Sequence, residues 1–353
     1  SMKFASDNNG PVHPKIMEAL MRANEGAVPS YGADDLTAQA VEKVRDVFEA
    51  PDASVFLVPT GTAANALILG SLTKPWETIF CANFAHIHVD ECHAPEAFTG
   101  GAKITPVGSD IDKFNADELK TAISAFNPDN MQQSGLGPVS ATQVTERGTL
   151  YSLEEIAGIA EVCREAGVPL HLDGARFANA AAALGCSAAE MSWKAGVDAV
   201  SFGATKNGAM AVEAAVIFDP AKAVEFRRRQ QRGALVFSKA RYLAAQMDAY
   251  LTDGLWLETA AEANRLAAAL ESGIAGIDGV KFAFPREANM IFVWMPRFVH
   301  RALLDAGAYY YIEAGKLQGD DPHEPLLGRL VCDWSVDEAD IAKFIDVAQG
   351  AKP

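Results

Sequence analysis

Positive charge is scarce in this 353-residue chain: 30 Lys plus Arg stand against 46 Asp plus Glu, a formal net charge of −16. Nucleic-acid backbones and anionic membrane surfaces are held by basic faces, so no nucleic acid and no membrane is expected as a partner. No apolar run approaches the roughly 18 residues of a membrane span, and the first residues carry no basic-then-apolar leader pattern. Cysteine is sparse and unpaired. Cys81, Cys92, Cys163, Cys186 and Cys332 are odd in number and never in a C-x-x-C pair, which excludes a disulfide framework and fits a reducing, cytoplasmic setting. Internal repeats and low-complexity stretches are missing too, which rules out a solenoid and a flexible tether. So are the G-x-x-x-x-G-K-[ST] and G-x-G-x-x-G loops, which takes weight from nucleoside triphosphate and nicotinamide chemistry.

What is present is ordinary globular material, with 49% hydrophobic and 22% charged residues. A chain of this length buries roughly three quarters of its unfolded surface, needs no metal or disulfide staple, and is expected to divide in two. Ser1 precedes Met2 and is left outside the fold argument. Short apolar runs at 54–58, 78–82, 103–107, 139–142, 168–173, 197–202 and 212–218 alternate with helical patterns, the sign of crossover units on a mainly parallel sheet. Ser152-Leu153-Glu154-Glu155 reads as a capping box opening a helix that Gly167 and Pro169 close. Past about residue 235 the pattern changes to long helices at 240–251 and 256–273, strands at 280–284, 290–294 and 330–332, and a closing helix at 336–349. The expected architecture is α/β: a large domain over residues 2–240 and a smaller α+β domain over 241–353.

Three segments carry chemistry. Pro59-Thr60-Gly61-Thr62-Ala63-Ala64-Asn65 lies where a strand gives way to a helix, and small residues there let backbone N–H groups and a helix N-terminus approach a phosphate, though any strand-to-helix turn uses Gly and Thr. His171-Leu172-Asp173-Gly174-Ala175-Arg176 puts two opposite charges at a strand end, either a plain ion pair or a site for a ligand. Lys206, in Thr205-Lys206-Asn207-Gly208, is set among small residues at another strand end. Burial there lowers its pKa and makes a nucleophile for carbonyls; the plain alternative is a snorkelling surface lysine. Together the three supply what pyridoxal 5'-phosphate needs.

At these residues the chain resembles the fold type I pyridoxal-phosphate enzymes, and among them the L-threonine aldolase or β-eliminating lyase family. The resemblance runs from Phe4-Ala5-Ser6-Asp7-Asn8 through Tyr31-Gly32-Ala33-Asp34-Asp35, Thr60–Asn65 and Ala85-His86 to Asp173–Arg176 and Thr205–Gly208. It implies that Lys206 carries the cofactor and that Asp173 partners its pyridinium nitrogen. It also implies that Gly61 and Thr62 hold the phosphate and that His86 stacks on the ring. Arg176 and Arg329, helped by Ser6, are implied to hold the substrate α-carboxylate, and Tyr31 and His88 are implied to contact the substrate. Lys239 falls where the family has a basic residue near the phosphate of a neighbouring subunit; the arginines at 227, 228, 229 and 232 make a solvated basic face the plain reading there. The activity implied is cleavage of the Cα–Cβ bond of threonine or allo-threonine-like β-hydroxy-α-amino acids to glycine and an aldehyde, by a homodimer or homotetramer with active sites at the subunit interface.

The base for the hydroxyl proton is open between His86 and His88, since imidazole titrates near neutrality. His93 has no assigned role. Phenylserine cleavage, β-elimination and racemisation are alternatives within the same cofactor chemistry, and a cofactor-binding protein without turnover is another. The segment His86-Ile87-His88-Val89-Asp90-Glu91-Cys92-His93 also permits a metal-dependent hydrolase centred on His86 and His88, with Lys206 structural.

Overall fold

Short runs of Val, Ile, Leu, Phe and Ala form strands β1 (Ser54–Val58), β2 (Glu77–Ala82), β3 (Lys103–Val107), β4 (Gly135–Thr142), β5 (Leu170–Gly174), β6 (Ala199–Gly203) and β7 (Glu213–Ile217) in the computed structural model, which describes residues 1–353. They pair in the order β1-β7-β6-β5-β4-β2-β3. All neighbours from β6 through β3 run parallel, while β7 is antiparallel to both β1 and β6. Strands β5, β6 and β7 are buried at every position, as central strands covered on both faces must be, and this is why they read as unbroken apolar runs.

Helices α1 (Pro14–Ala23), α2 (Asp35–Val47), α3 (Gly61–Leu72), α4 (His86–Val89), α5 (Ala94–Phe98), α6 (Ala116–Ser124), α7 (Leu153–Ala166), α8 (Phe177–Leu184), α9 (Phe226–Arg232) and α10 (Arg241–Tyr250) cover this sheet. The box at Ser152 forms reciprocally: the Glu155 N–H donates to Ser152 Oγ and the Ser152 N–H to Glu155 Oε1, each at 3.0 Å, and Gly167 ends α7 in the left-handed region. Helix α3 is buried continuously from Ala63 to Gly70, which is why it carries no polar stripe. Strand β4 begins earlier than its apolar run. Gly135 and Gly137 flank that start, a Cβ on Gly137 would come 2.3 Å from the Thr78 carbonyl oxygen, and Pro138 sits at an irregularity in the β2–β4 register.

The second unit comprises α11 (Leu255–Ile274), β8 (Lys281–Phe282), β9 (Met290–Pro296), α12 (Arg297–Asp305), β10 (Tyr311–Ala314), β11 (Pro325–Val331) and α13 (Glu338–Gly350), with an antiparallel sheet ordered β10-β11-β9-β8. The 240/241 division separates the two sheets, yet Leu243, Met247, Tyr250 and Trp256 still pack into the core of the large one. The core of the small unit begins at Leu266 and takes in Met2 and Phe4. The N-terminal arm therefore crosses over: the Phe4 N–H donates to the Tyr309 carbonyl and the Val331 N–H to the Phe4 carbonyl, both at 2.8 Å. This tether carries Asp7 to the C-terminal edge of the large sheet. No helix is long and apolar enough to cross a membrane.

That edge is tightly packed. An added Cβ at Gly203 would lie 2.4 Å from the Ala175 carbonyl oxygen, a backbone atom that cannot swing aside. Gly203→Ala is expected to cost about 1–3 kcal/mol through overpacking, measurable as a lower melting temperature; a melt unchanged from wild type would contradict this placement of β6 against the loop after β5.

Candidate active site

The C-terminal ends of β4, β5 and β6 lie side by side, with Thr142 opposite Asp173 and Asp173 opposite Ser201. Open α/β sheets bind ligands at this edge. A cavity of about 300 Å³ opens there, lined by Thr60, Gly61, Thr62, His86, Asp173, Arg176 and Lys206 among others. A second, of about 550 Å³, shares His86, Arg176 and Lys206 with it and adds Ser6 and Arg329. Six of the residues expected from sequence thus meet around the first cavity, and Ser6 and Arg329 stand in the adjoining one.

Lys206 sits in a single 3₁₀ turn after β6. The turn is pinned by its neighbour: Asn207 Nδ2 donates to Tyr250 Oη at 2.8 Å and to the Trp256 carbonyl at 2.9 Å. Gly208 follows at φ +116°, a conformation suited to glycine. The Lys206 amine is held below the usual lysine range by the positive charge of Arg176 and by burial, against the pull of Asp7, Asp173 and Glu213. It is a buried amine biased toward its nucleophilic form, not a surface cation.

Asp173 is oriented by a directed chain of hydrogen bonds. Its Oδ2 accepts from Asn65 Nδ2 at 3.0 Å and its Oδ1 from the Ala175 N–H at 3.2 Å. Asn65 Nδ2 also donates to Glu91 Oε1 at 2.8 Å, so its Oδ1 is left to accept from Ser201 Oγ at 2.6 Å. Ser201 has then given its proton away and must accept from His171 Nε2 at 2.9 Å, which leaves His171 Nδ1 to accept from Ser140 Oγ at 2.8 Å. Burial pushes His171 down to about 4, so it stays neutral in that arrangement. His86 stands opposite, its Nδ1 2.7 Å from Glu91 Oε1. The Glu91 hydrogen bond holds the imidazole above its usual range despite burial, and burial raises the Glu91 carboxyl itself.

The two arginines do not play equal parts. Arg176 Nε and Nη2 donate to Asp7 at 2.7 and 3.0 Å, a bidentate pair with side chains 10% and 1% exposed. Asn289 Nδ2 supports the same carboxylate at 3.1 Å. Burial works against Asp7 ionising, but Arg176 and Lys206 outweigh it and hold the carboxyl below the usual range. The two N–H groups of Nη1 and the second N–H of Nη2 remain for a ligand. Arg329 spends one nitrogen on the Ala5 carbonyl at 2.9 Å. It is lowered by burial and by repulsion from Arg176. Two guanidinium groups facing one cavity in this way invite an anion between them.

Three expected residues lie elsewhere. Tyr31 is exposed on a separate apolar groove with Phe237, Lys239 is exposed, and His88 points to solvent. His93 is exposed and pairs with Glu96. No group of three or more His, Cys, Asp or Glu side chains comes together as a metal site, and His86 is committed to Glu91, so the hydrolase reading has no ligand set. Sequence reasoning gave no role to Asp7, Asn65, Glu91, Glu146 or Glu213. All five are acids or an amide, buried at or just behind the cavity, and nothing in the chain order marks their partners.

The sequence profile of the beta-eliminating lyase family matches residues 3–296. A low specificity L-threonine aldolase of Pseudomonas sp. (strain NCIMB 10558) is 38% identical over 344 residues, covering 98% of this chain and 96% of that protein. The protein of the same description from Pseudomonas aeruginosa is 37% identical over 354 residues, 99% of each. The solved threonine aldolase of Leishmania major superposes with a TM-score of 0.89 at 26% identity, covering 99% of both chains. Serine palmitoyltransferase from S. paucimobilis superposes at 0.68 with 14% identity over 98% of this chain and 86% of that one, a likeness of fold alone. The α/β architecture is that of fold type I, and with its profile match and full-length relatives the chain belongs to the beta-eliminating lyase family.

Proposed function

We propose that the protein is a pyridoxal-phosphate aldolase that cleaves the Cα–Cβ bond of threonine-like β-hydroxy-α-amino acids to glycine and an aldehyde. The observation that carries this is the joint placement of Lys206, Asp173 and the α3 N-terminus around one cavity that opens onto Arg176 and Arg329.

The residues fit the cofactor. Thr60 caps α3 by accepting the Ala63 N–H, which leaves the Gly61 and Thr62 amides free, and a Cβ at Gly61 would meet no atom of the chain within 4 Å. That open, positive helix end takes the phosphate. Glu91 Oε2 and Glu146 Oε2 are buried in the same cavity without partners of their own. When bound, pyridoxal 5'-phosphate supplies a carbonyl for amines and a ring that withdraws the electron pair left at Cα. Asp173, locked by Asn65 and the Ala175 amide, would keep a proton on the ring nitrogen. His86 would stand beside the ring, and Arg176 and Arg329, with Ser6 nearby, would hold the α-carboxylate and so fix the direction of the breaking bond. Lys206 would hold the cofactor before substrate arrives and afterwards move a proton at Cα.

The test is a spectrum of purified protein with pyridoxal phosphate, before and after glycine, threonine and phenylserine, combined with product analysis. Visible absorbance and release of glycine plus aldehyde are expected. Pyruvate plus ammonia would mark β-elimination instead, and a colourless, inert protein would refute the reading.

The oligomer follows from residues that miss the cavity. Lys239 and Tyr31 are exposed in one chain, and we read them as reaching the site of a second copy in a homodimer or homotetramer. Mixing subunits carrying Lys206→Ala with subunits carrying Lys239→Ala is expected to restore one intact site per mixed pair and hence measurable cleavage; two variants that stay inactive after mixing would place Lys239 in its own chain's site or in none.

A further inference from the structure

Glu146 has no part in the scheme so far, yet it stands at the wall common to both cavities, with His86, Arg176 and Lys206. Its Oε1 is fixed, accepting the His86 backbone N–H at 2.8 Å. Its Oε2 is buried and makes no hydrogen bond of normal geometry, with the Thr142 hydroxyl standing close by. An unpartnered buried carboxyl oxygen is costly, and native folds keep few of them away from working sites. Glu91 also keeps a free Oε2, but its Oε1 is tied to both His86 and Asn65. Asp173 is held by Asn65 and Glu213 by the Ala204 amide at 2.7 Å, which leaves Glu146 as the carboxylate with a free oxygen that is held by a single backbone amide.

Building on the aldolase reading, we propose that Glu146 takes the proton from the substrate β-hydroxyl as the Cα–Cβ bond breaks. The O–H pair becomes the second bond of the aldehyde carbonyl, the Cα–Cβ pair stays with Cα, and the proton passes to Glu146 Oε2. Cα receives its proton from Lys206 in the ammonium form, and Lys206 regains from solvent the proton that Glu146 gives up. One proton leaves oxygen and one arrives at carbon, as the overall reaction requires. His86 then serves as ring partner and as the backbone donor that aims the carboxylate.

The electrostatics suit a base near neutrality. Burial pushes the Glu146 carboxyl up to about 7, Asp173 pushes the same way, and the His86 amide and Thr142 hydroxyl oppose them. Facing it are His86 from α4, Asp173 and Arg176 from the end of β5, and Cys81 from β2. Tyr151 and Arg147 face it from its own segment, with Glu91 and Lys206 across the cavity. Cys81 and Tyr151 are both raised by burial and stay neutral. Because the folded pKa lies above the usual carboxylate value, Glu146 favours the fold fully at low pH, and that contribution is lost as pH rises from about 4.5 through about 7.

Glu146→Gln tests this with three readings. Threonine cleavage is expected to fall at least about 10²-fold in kcat, with the alkaline-rising limb of the pH profile flattened. Exchange of the glycine α-hydrogen with solvent deuterium, which needs no hydroxyl base, is expected to persist. In the cofactor-free protein, the melting temperature of E146Q relative to wild type is expected to climb between pH 5 and pH 8, because glutamine has no charge to bury. Equal loss of cleavage and exchange, or cleavage at the wild-type rate, overturns the assignment while leaving the aldolase reading intact. A flat melting difference overturns the buried, proton-holding state. If wild type itself neither binds cofactor nor releases aldehyde, the aldolase reading falls and takes this proposal with it. Should E146Q not fold, Glu146→Asp carries the same comparison, expected to lower cleavage while sparing exchange; equal loss of both overturns the proposal.

Discussion

Lys206→Ala protein is expected to fold, to show no cofactor-linked visible absorbance beyond that of free pyridoxal phosphate, and to cleave threonine at least about 10³-fold more slowly than wild type. The expectation rests on place as much as residue type. Lys206 ends β6 in a turn that Asn207 ties to Tyr250 and Trp256, so the backbone does not depend on the lysine side chain. What is lost is a buried amine that Arg176 and burial hold toward its neutral, nucleophilic form. Truncation also removes a positive charge that helps keep Asp7 ionised. A modest fall in melting temperature should therefore accompany the loss of activity. Covalent trapping by borohydride in wild type, absent in the variant, separates loss of attachment from loss of affinity. Threonine cleavage by the variant at near the wild-type rate would sink both the role of Lys206 and the cofactor chemistry built on it.

The centre of the sheet was legible because β2, β5, β6 and β7 are buried at nearly every position, so apolar run and strand nearly coincide; the edge strands β1 and β3, partly exposed, were also marked by their short runs. The capping box at Ser152 worked for a local reason, since both of its partners lie within four residues. Legibility failed where structure depends on distant partners. Strand β8 shrinks to Lys281–Phe282, and β10, whose residues alternate between exposed and half-buried, carries no unbroken apolar run. The arm at Met2 and Phe4 packs against a core assembled from residues 266–348. The site shows the same division. Lys206, Asp173, Gly61 and Thr62 stand at strand-to-turn junctions that the sequence marks with small residues, whereas Asp7, Asn65 and Glu146 acquire meaning only from partners far along the chain or from a cavity closed by several segments. Tyr31 and Lys239 go one step further, because one chain alone gives them no site.

Arg176→Met is expected to damage fold and function together, and the two can be separated. Methionine keeps most of the side-chain volume but leaves Asp7 as a buried carboxylate with only Asn289 and the more distant Lys206 in support. Removing one partner of a buried ion pair costs about 3–5 kcal/mol, so the melting temperature should fall clearly. Adding Asp7→Asn removes the stranded charge, and the double variant is expected to regain part of that stability, with a coupling energy on the order of 1–3 kcal/mol in the double-mutant cycle. Activity should not return with it. The Arg176 guanidinium would still be missing from the carboxylate clamp, a charge-assisted contact worth about 1.5–3 kcal/mol, roughly 10- to 150-fold in kcat/KM. The Lys206 amine would also lose the neighbour that lowers it most, so the pH at which it becomes nucleophilic should move upward. A double variant that recovered stability and activity alike would show that Arg176 merely neutralises Asp7. Recovery of stability without activity, with the pH profile displaced to the alkaline side, is what a guanidinium serving both the arm and the substrate requires.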